Sequence, residues 1–252
     1  MSYLDTYRAD LERRGETARE RKINALKHDI SKHAADNPAY KKIFVKGKRM
    51  YVVVNSKDDY NFKEIVCIPG ERVPFGSVVQ FSNKQWIVTK TDFDDEIYSK
   101  SEMYLCNCVL RWIDKNGKMH TYEGHAEDAT KYSEGVEATQ YIKVAEFQIK
   151  VKISMDSISA LIYRDMRFII DAEKFVPNMI ADNDRPFVFR VTRRNIVTGT
   201  CGDEGYVEIT LVQDQWIEGR DDYEQMIAAQ PHQLKESYPE DITPDANEGR
   251  WL

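Results

Sequence analysis

The side chains of this sequence that are best suited to chemistry are clustered carboxylates. Four of them lie between positions 92 and 96, and two more are Asp58 and Asp59. Clusters of carboxylates bind Mg²⁺ or Ca²⁺, and a metal held in this way can support cleavage of nucleic acid. Acidic residues between strands also start turns and discourage strand edges from pairing. Because 31% of the residues are charged, we expect this second role here.

Histidine and cysteine form no strong reactive motif. The five histidines contain no ligand-spaced set beyond a weak pair, His120 and His125. The four cysteines contain no CxxC pair, and Cys106 and Cys108 alternate along an apolar strand, where cysteine packs as a small hydrophobic residue. The motifs GxxxxGK[ST], GxGxxG, HExxH and GxSxG are absent. We therefore predict a protein that is not an enzyme and that needs no metal and no cofactor.

The composition is that of a globular protein. Its 252 residues are 42% hydrophobic, which is enough to form one or two cores. The sequence has no run of about 18 apolar residues and no apolar signal-peptide core at its start. We therefore expect neither secretion nor membrane insertion, and we expect synthesis in the cytoplasm.

The first 37 residues have the pattern of helices. Thr17 and Glu20 have the spacing of a capping box, as do Ser2 and Asp5. The pattern predicts a short helix near 3–14 and a longer one near 18–34, which would lie on a sheet or against a partner. The apolar face of the longer helix consists of Ile23, Leu26, Ile30 and Ala34.

After Pro38 the hydrophobic period changes from that of a helix to that of a strand. A long strand is predicted from Glu102 to Ile113, and the Asn116-Gly117 pair after it favours a primed two-residue turn. The fold class predicted is mainly β, with a small antiparallel barrel or sandwich and a second antiparallel β domain after an N-terminal helical segment. The other strand candidates are 42–46, 49–54, 62–68, 77–81, 86–91, 118–122, 147–153, 167–171, 187–192 and 206–212.

These patterns divide the chain into five segments. The predicted organisation is a helical segment at 1–37, a β-barrel or sandwich domain at 38–122, a linker or loop at 123–140, a second β domain with a terminal acidic segment at 141–229, and an extended tail at 230–252. The tail is acidic and rich in proline, yet it contains Leu234, Tyr238, Ile242, Trp251 and Leu252. We expect it to become ordered on a neighbouring subunit.

The two ends of the chain carry opposite charge. Residues 1–50 contain 13 Lys and Arg against 7 Asp and Glu, whereas residues 214–252 contain 3 against 10. Opposite charges at two ends suit contacts between copies in a ring, although they guide encounter more than they supply affinity. Two solvated ends are an equally simple interpretation.

Residues 40–228 resemble structural proteins of tailed bacteriophages, in particular neck or head-tail connector proteins. The likeness is carried by DYNFKEI, by the unit from GSVVQF to VLRW, and by RFIID, FVFRVTR and GYVEITLVQDQW. It implies a head-closure or stopper-like virion protein whose copies form a ring that joins the portal side of the head to the tail and helps to retain and pass the genome. The implied location is the virion neck, assembled in the bacterial host cytoplasm.

The resemblance also implies partners. They are other copies of the chain, the portal or adaptor protein and tail proteins, with non-specific contact to double-stranded DNA in the lumen and no membrane contact. Within the virion, a tail or baseplate protein is the alternative. From another class, the alternative is a metal-dependent nucleic-acid enzyme that uses the acidic loops.

Two groups of residues are candidates for a partner interface. In the basic group, a solvated face is the alternative to a nucleic-acid or protein contact. In the aromatic and methionine group, packing back on the second domain is the alternative to anchoring a neighbouring subunit. The candidates are Arg13, Arg14, Arg19, Arg21, Trp216, Tyr223, Met226, Trp251 and Leu252. Arg190, Arg193 and Arg194 either face DNA or lie on a solvated sheet face.

Overall fold

The computed structural model describes residues 3, 4, 7, 15–57, 59–93, 96–128, 148–170 and 188–235. Within these ranges the protein is mainly β, as predicted, with two antiparallel sheets and an N-terminal helix. None of the described helices is long and apolar enough to cross a membrane. The helices are α1 (Ala18–His33) and α2 (Pro231–Lys235). The strands are β1 (Tyr40–Val45), β2 (Lys48–Ser56), β3 (Phe62–Cys67), β4 (Val78–Phe81), β5 (Lys84–Thr91), β6 (Lys100–Leu105), β7 (Cys108–Ile113), β8 (Met119–Asp128), β9 (Gln148–Ser154), β10 (Arg167–Ile169), β11 (Val188–Asn195), β12 (Thr200–Cys201) and β13 (Glu204–Asp214).

Helix α1 begins at the predicted capping box. The Thr17 hydroxyl accepts the Glu20 N–H at 3.1 Å, and the Glu20 carboxylate accepts the Thr17 N–H at 3.2 Å. Two N–H groups that the first turn would leave unpaired are thereby satisfied. None of the sixteen residues of α1, all of which the structure describes, is buried. The first buried residue after it is Ala34, at the start of a short 3-10 turn.

The first sheet is a closed barrel in the order β1-β2-β3-β6-β5-β4. Pairing of β1 with β4, which aligns Phe44 with Gln80, closes it. Alternate residues of the strands point inward, and closure leaves no free strand edge. The fully buried core positions include Ile43, Val52, Ile65, Val79, Val88 and Met103.

Two hairpins of the barrel turn through two residues that both have positive φ. They are Lys46 and Gly47 between β1 and β2, and Ser82 and Asn83 between β4 and β5. This is the primed geometry that matches the right-handed twist of the flanking strands.

The predicted single strand from Glu102 to Ile113 is wrong. Strand β6 ends at Leu105 in the barrel, and β7 begins at Cys108 in the second sheet. The Asn107 side chain fixes this crossing point, since it donates to the Ala126 carbonyl at 2.9 Å and accepts the Ala126 N–H at 2.7 Å. The barrel therefore ends at residue 105 rather than 122, because β7 and β8 both belong to the second sheet.

The second sheet runs in the order β10-β11-β13-β9-β8-β7, with β12 paired to β13. It curls so that its outer strands approach each other, and Trp112 on β7 contacts Phe168 on β10 with ring centroids 5.8 Å apart. Its core is continuous and apolar, and includes Leu110, Val151, Ile153, Val191, Ile209 and Leu211.

Two further predictions for this region are wrong. The loop of the β7–β8 hairpin has positive φ at Gly117 but not at Asn116, and Gly117 N–H donates to Asp114 O at 3.0 Å. It is therefore a longer loop with glycine at the left-handed position, not a primed two-residue turn. Residues 123–128, predicted as linker, extend β8, and residues 129–140 lie outside the described ranges.

The barrel and the second sheet are joined by a close backbone contact. A Cβ on Gly76 would lie 1.7 Å from the Gly205 carbonyl oxygen, so no larger residue fits there in this conformation. Next to it, Arg72 donates two hydrogen bonds to Glu204, at 2.6 and 3.0 Å. The Phe75 and Tyr206 rings pack edge to face at 5.6 Å. These contacts fix the two β units against one another.

Candidate functional site

A cavity of about 580 Å³ opens beside the β7–β8 hairpin, and its size is typical of ligand pockets. One wall is the end of β7 and the hairpin loop, and the opposite wall is the chain between β9 and β10. Gln230 and His232 complete the lining from the C-terminal side. The apolar side chains of the lining are Trp112, Ile113, Ile158, Leu161, Tyr163 and Met166.

The loop that carries Leu161 is held in place by Asp156 and Arg194. Asp156 accepts the N–H groups of Ile158 and Ser159 at 2.9 and 2.7 Å, and it also accepts the Tyr122 hydroxyl. Arg194 donates to the carbonyls of Ala160 and, at 2.8 Å, Ile162. Arg194 is exposed on the sheet face and positions one wall of the cavity, and a contact with DNA stays a prediction.

Two apolar residues at this wall are exposed. Leu161 is 71% exposed and Tyr163 is 42% exposed, although both belong to a cavity whose floor is the buried Trp112. Trp112 is held rigidly, because its ring stacks on Tyr122 and lies against His120. Exposed apolar side chains beside a concave apolar floor are typical of a surface that binds another molecule.

The polar part of the site is built on Asp114. Its carboxylate accepts the N–H groups of Asn116 and Lys118 at 2.8 and 2.9 Å and lies 3.0 Å from His120 Nε2. The hydrogen bond to His120 and those from the two N–H groups lower the pKa of Asp114. The charge of Asp114 is therefore satisfied inside the hairpin, whereas the exposed Lys115 and Lys118 leave the rim positive. Apolar side chains beside a positive rim make the arrangement suited to binding.

Behind the cavity, the buried Arg167 ties the segment after β13 to β10. Its guanidinium, 3% exposed, donates to both carboxylate oxygens of Asp221, at 2.9 and 3.0 Å, and to Asp214 at 2.9 Å. It also donates to the Ala229 carbonyl at 3.1 Å. A buried cation of this kind is tolerated only when its hydrogen bonds are satisfied.

Gln230 continues this attachment along the free edge of β10. Its amide donates to the Arg167 carbonyl at 2.6 Å and accepts the Arg167 N–H at 3.3 Å. A side-chain amide thus makes the pair of bonds that a neighbouring strand would make. The same contact brings His232, two residues later, to the cavity.

The predicted interface residues do not lie together in the structure. Trp216 and Met226 pack against the small core of Ile169, Val188 and Ala228, which is the alternative in which they fold back on their own domain. The partly buried Tyr223 lies in the same segment, and its carbonyl accepts the Met226 N–H at 3.1 Å. A role for these three residues at a partner interface stays a prediction.

The basic candidates that are described lie on α1. Arg19 and Arg21 are exposed, and Arg19 pairs with Glu96 at 2.9 Å. Arg13, Arg14, Trp251 and Leu252 lie outside the described residues, as do Asp58 and two carboxylates of the acidic loop, Asp94 and Asp95. In the described part of the chain, no group of three His, Cys, Asp or Glu side chains is placed to hold a metal ion.

Two cysteines and two histidines have structural roles. Cys67 and Cys108 are buried in the two cores, and burial raises their pKa values to about 11 and about 12, so both thiols stay protonated. His125 Nδ1 donates a hydrogen bond to the Leu105 carbonyl, 2.7 Å away, and its other nitrogen, Nε2, lies 3.2 Å from Glu127. His120 and His125 are therefore at different sites, one in the hairpin and one at the domain junction.

Sequence reasoning missed the cavity, because its lining comes from three separate parts of the chain. The signal that could have found one wall is the apolar group from Leu161 to Tyr163, which follows Ser157-Ile158-Ser159 and has no strand period. Apolar residues that belong to no predicted element are candidates for a binding surface.

Comparisons with known proteins assign no family. No family model and no curated protein matches the sequence. Among solved structures, the chain is similar to the MrkH–c-di-GMP complex of K. pneumonia, with 9% identity and a TM-score of 0.25 over 77% of this chain and 86% of that one. It is similar to apo MrkH with 8% identity and a TM-score of 0.23 over 78% and 87%. At this level the likeness carries no information on function.

Proposed function

We propose that this chain is a structural assembly protein of a tailed-bacteriophage neck, whose copies form a ring that joins the head to the tail. The resemblance of residues 40–228 to neck proteins supports this class. The observation that supports an assembly role is α1, a helix of sixteen residues that buries none of them.

A helix of this length is marginal in water by itself and normally gains its stability by packing an apolar face. Ile23, Leu26 and Ile30 fall on one face of α1, and Leu26 is 41% exposed. Ile23 and Ile30 are partly buried, so this face is only partly covered within one copy. A partner in an assembly would bury it, and this is the physical reason for a helix to stand outside the core.

The charge of α1 indicates what kind of partner it fits. Within it, the cations Arg19, Arg21, Lys22, Lys27 and Lys32 face only two carboxylates, Glu20 and Asp29. Pairing with another α1 would bring like charges together, whereas the acidic segment at 214–252 of a neighbouring copy is complementary. Contact between different surfaces of successive copies is heterologous, and such contacts generate rings when the rotation closes.

The junction of the two β units suits the same role. Gly76 against Gly205 and Arg72 against Glu204 hold the barrel and the second sheet as one block. A component that connects two large assemblies has to transmit load, and a fixed junction does this better than a flexible linker.

The test compares the full-length protein with Leu26→Asp, using Tyr60→Asp, at an exposed barrel position, as the matched control. Mass measurement by light scattering should show an oligomer for the parent and the control, and a smaller species for Leu26→Asp. Electron imaging of phage particles should then locate the parent at the neck.

Three outcomes would overturn the proposal. A parent protein that stays monomeric and is absent from particles removes the assembly function. Density in the tail or baseplate assigns the alternative virion role. Divalent-dependent nuclease activity that is lost in Asp94→Ala would identify an enzyme instead.

A further inference from the structure

The cavity beside the β7–β8 hairpin combines an apolar floor with a positive rim. Trp112 forms the floor, Leu161 and Tyr163 are exposed at the wall, and Lys115 and Lys118 lie on the hairpin loop. Asp114, the carboxylate of this lining, is already bonded to two N–H groups and His120. The chemistry that fits is an apolar side chain followed closely by carboxylates.

The end of this sequence has that chemistry. Residues 236–252 contain five carboxylates and one arginine, Arg250. Within them, Tyr238 and Ile242 flank the adjacent pair Glu240 and Asp241. An aromatic and an aliphatic residue separated by Pro239 and two acids match an apolar cavity beside two lysines.

The position of the cavity agrees with this match. The described chain ends at residue 235, three residues after His232, which lines the cavity. Each copy therefore presents a receptor surface and, directly next to it, the start of a segment that could fill the same surface on the next copy. One receptor and one segment per copy give the heterologous contact from which a ring is built.

We infer that the cavity is the docking site for the acidic segment 236–252 of a neighbouring copy. Tyr238 or Ile242 enters between Trp112 and Leu161, and Glu240 with Asp241 pairs with Lys115 and Lys118. This inference rests on the proposed assembly function and identifies one of its contacts. It also explains why this acidic segment contains apolar residues.

Photo-crosslinking of the full-length protein tests the inference. Tyr238 is replaced by p-benzoyl-phenylalanine, light and heavy isotope-labelled pools are mixed, and crosslinked peptides are identified by mass spectrometry. We expect light–heavy crosslinks from position 238 to residues 112–120 or 158–166. Crosslinks confined to one copy, or directed elsewhere, would overturn the docking of a neighbour.

Charge and shape are tested by variants. Lys115→Glu with Lys118→Glu should lower the crosslink yield by about tenfold, since each exposed pair contributes up to about a factor of five. Leu161→Ser should lower the crosslink yield as well. It should not unfold the protein, because Leu161 is exposed. The control, Lys48→Glu with Lys84→Glu, changes the same charges on exposed barrel hairpins and should leave the yield unchanged. Equal yields in both double variants would contradict the inference.

Light scattering on the same samples separates this inference from the function proposed above. Oligomers that form without crosslinks to the cavity remove the docking site and leave the assembly role intact. Crosslinks to the cavity in a protein that never enters phage particles remove the neck function and leave the docking site. Absence of both oligomers and crosslinks removes both.

Discussion

The strand edges of the barrel and of the second sheet are paired in different ways. In the barrel, pairing of β1 with β4 satisfies every strand on both sides. In the second sheet, β7 and β10 are outer strands that meet through side chains, Trp112 against Phe168. The open edge of β10 is capped by the Gln230 amide, and the cavity lies at the end of this seam. The closed sheet acts as a scaffold, whereas the open one leaves room for a binding site.

The largest loss of stability is expected at Arg167, whose buried charge holds the segment after β13 on the second sheet. Arg167→Ala leaves Asp221 buried without its cation, so we expect the free energy of unfolding to fall by about 3–5 kcal/mol. The matched control is Arg190→Ala on β11, an exposed pair with Asp165, with an expected loss below about 1 kcal/mol. Urea unfolding followed by circular dichroism measures both. Equal losses of unfolding free energy in the two variants would show that Arg167 does not hold this segment on the sheet.

The junction between the two units comes next. Gly76→Ala adds a Cβ against the Gly205 carbonyl at a positive φ, so we expect a loss of about 3 kcal/mol from backbone strain and overpacking. Gly70→Ala also has a positive φ but meets no atom within 4 Å, so it should cost only about 1 kcal/mol. Thermal unfolding compares them, and limited proteolysis should detect a loosened junction in Gly76→Ala alone. Similar behaviour of the two variants would argue against a tight junction.

The cap on β10 should contribute less than Arg167. Gln230→Ala leaves the buried N–H and carbonyl of Arg167 without their partners, and we expect a loss of about 2 kcal/mol. Gln225→Ala, an exposed change in the same segment, should be nearly neutral. Hydrogen exchange gives a second measurement, since the Arg167 amide should exchange faster in Gln230→Ala. An unchanged exchange rate would mean that another group caps this edge.

A smaller effect on stability, which depends on pH, is expected at Glu127 near the junction of the two β units. Hydrogen bonds from His125 and Lys152 lower the pKa of Glu127 from 4.5 to about 2, against the opposing effect of partial burial. Because the folded pKa lies below the unfolded value, this stabilisation is present above about pH 4.5 and is lost as pH falls toward 2. After allowance for solvent screening it amounts to about 1 kcal/mol. Urea unfolding between pH 2 and 6 should be less pH-dependent in Glu127→Gln, with Glu224→Gln as the exposed control. An identical pH dependence in Glu127→Gln and the parent would contradict this role.

The smallest effect on stability should come from the largest deletion. Removal of residues 1–36 takes away α1, which buries no residue, and the one small buried residue Ala34, so the midpoint of urea unfolding should shift little. Incorporation into particles should fall strongly if α1 contacts a partner. A truncated chain that no longer folds would show that the helix belongs to the core.

Local patterns gave much of the fold correctly. The capping box of Thr17 and Glu20 begins α1 where it was predicted, because both hydrogen bonds form within one helical turn. The alternation of apolar and polar residues predicted ten of the strands near their observed positions, since period two follows directly from strand geometry. The error at Glu102 to Ile113 has the same origin: apolar residues lie on both sides of Asn107, so the pattern could not show that the chain changes sheets.

The sequence by itself determined the fold class, the strand positions and the absence of familiar catalytic motifs, because these depend on neighbours within a few residues. Only the tertiary structure decided which sheet β7 and β8 join, that Arg167 meets Asp221 across 54 positions, and that Trp112, Leu161 and His232 line one cavity. These contacts depend on how the second sheet curls and on where the segment after β13 returns. Residue types restrict such long-range packing, but only the folded chain brings the residues together.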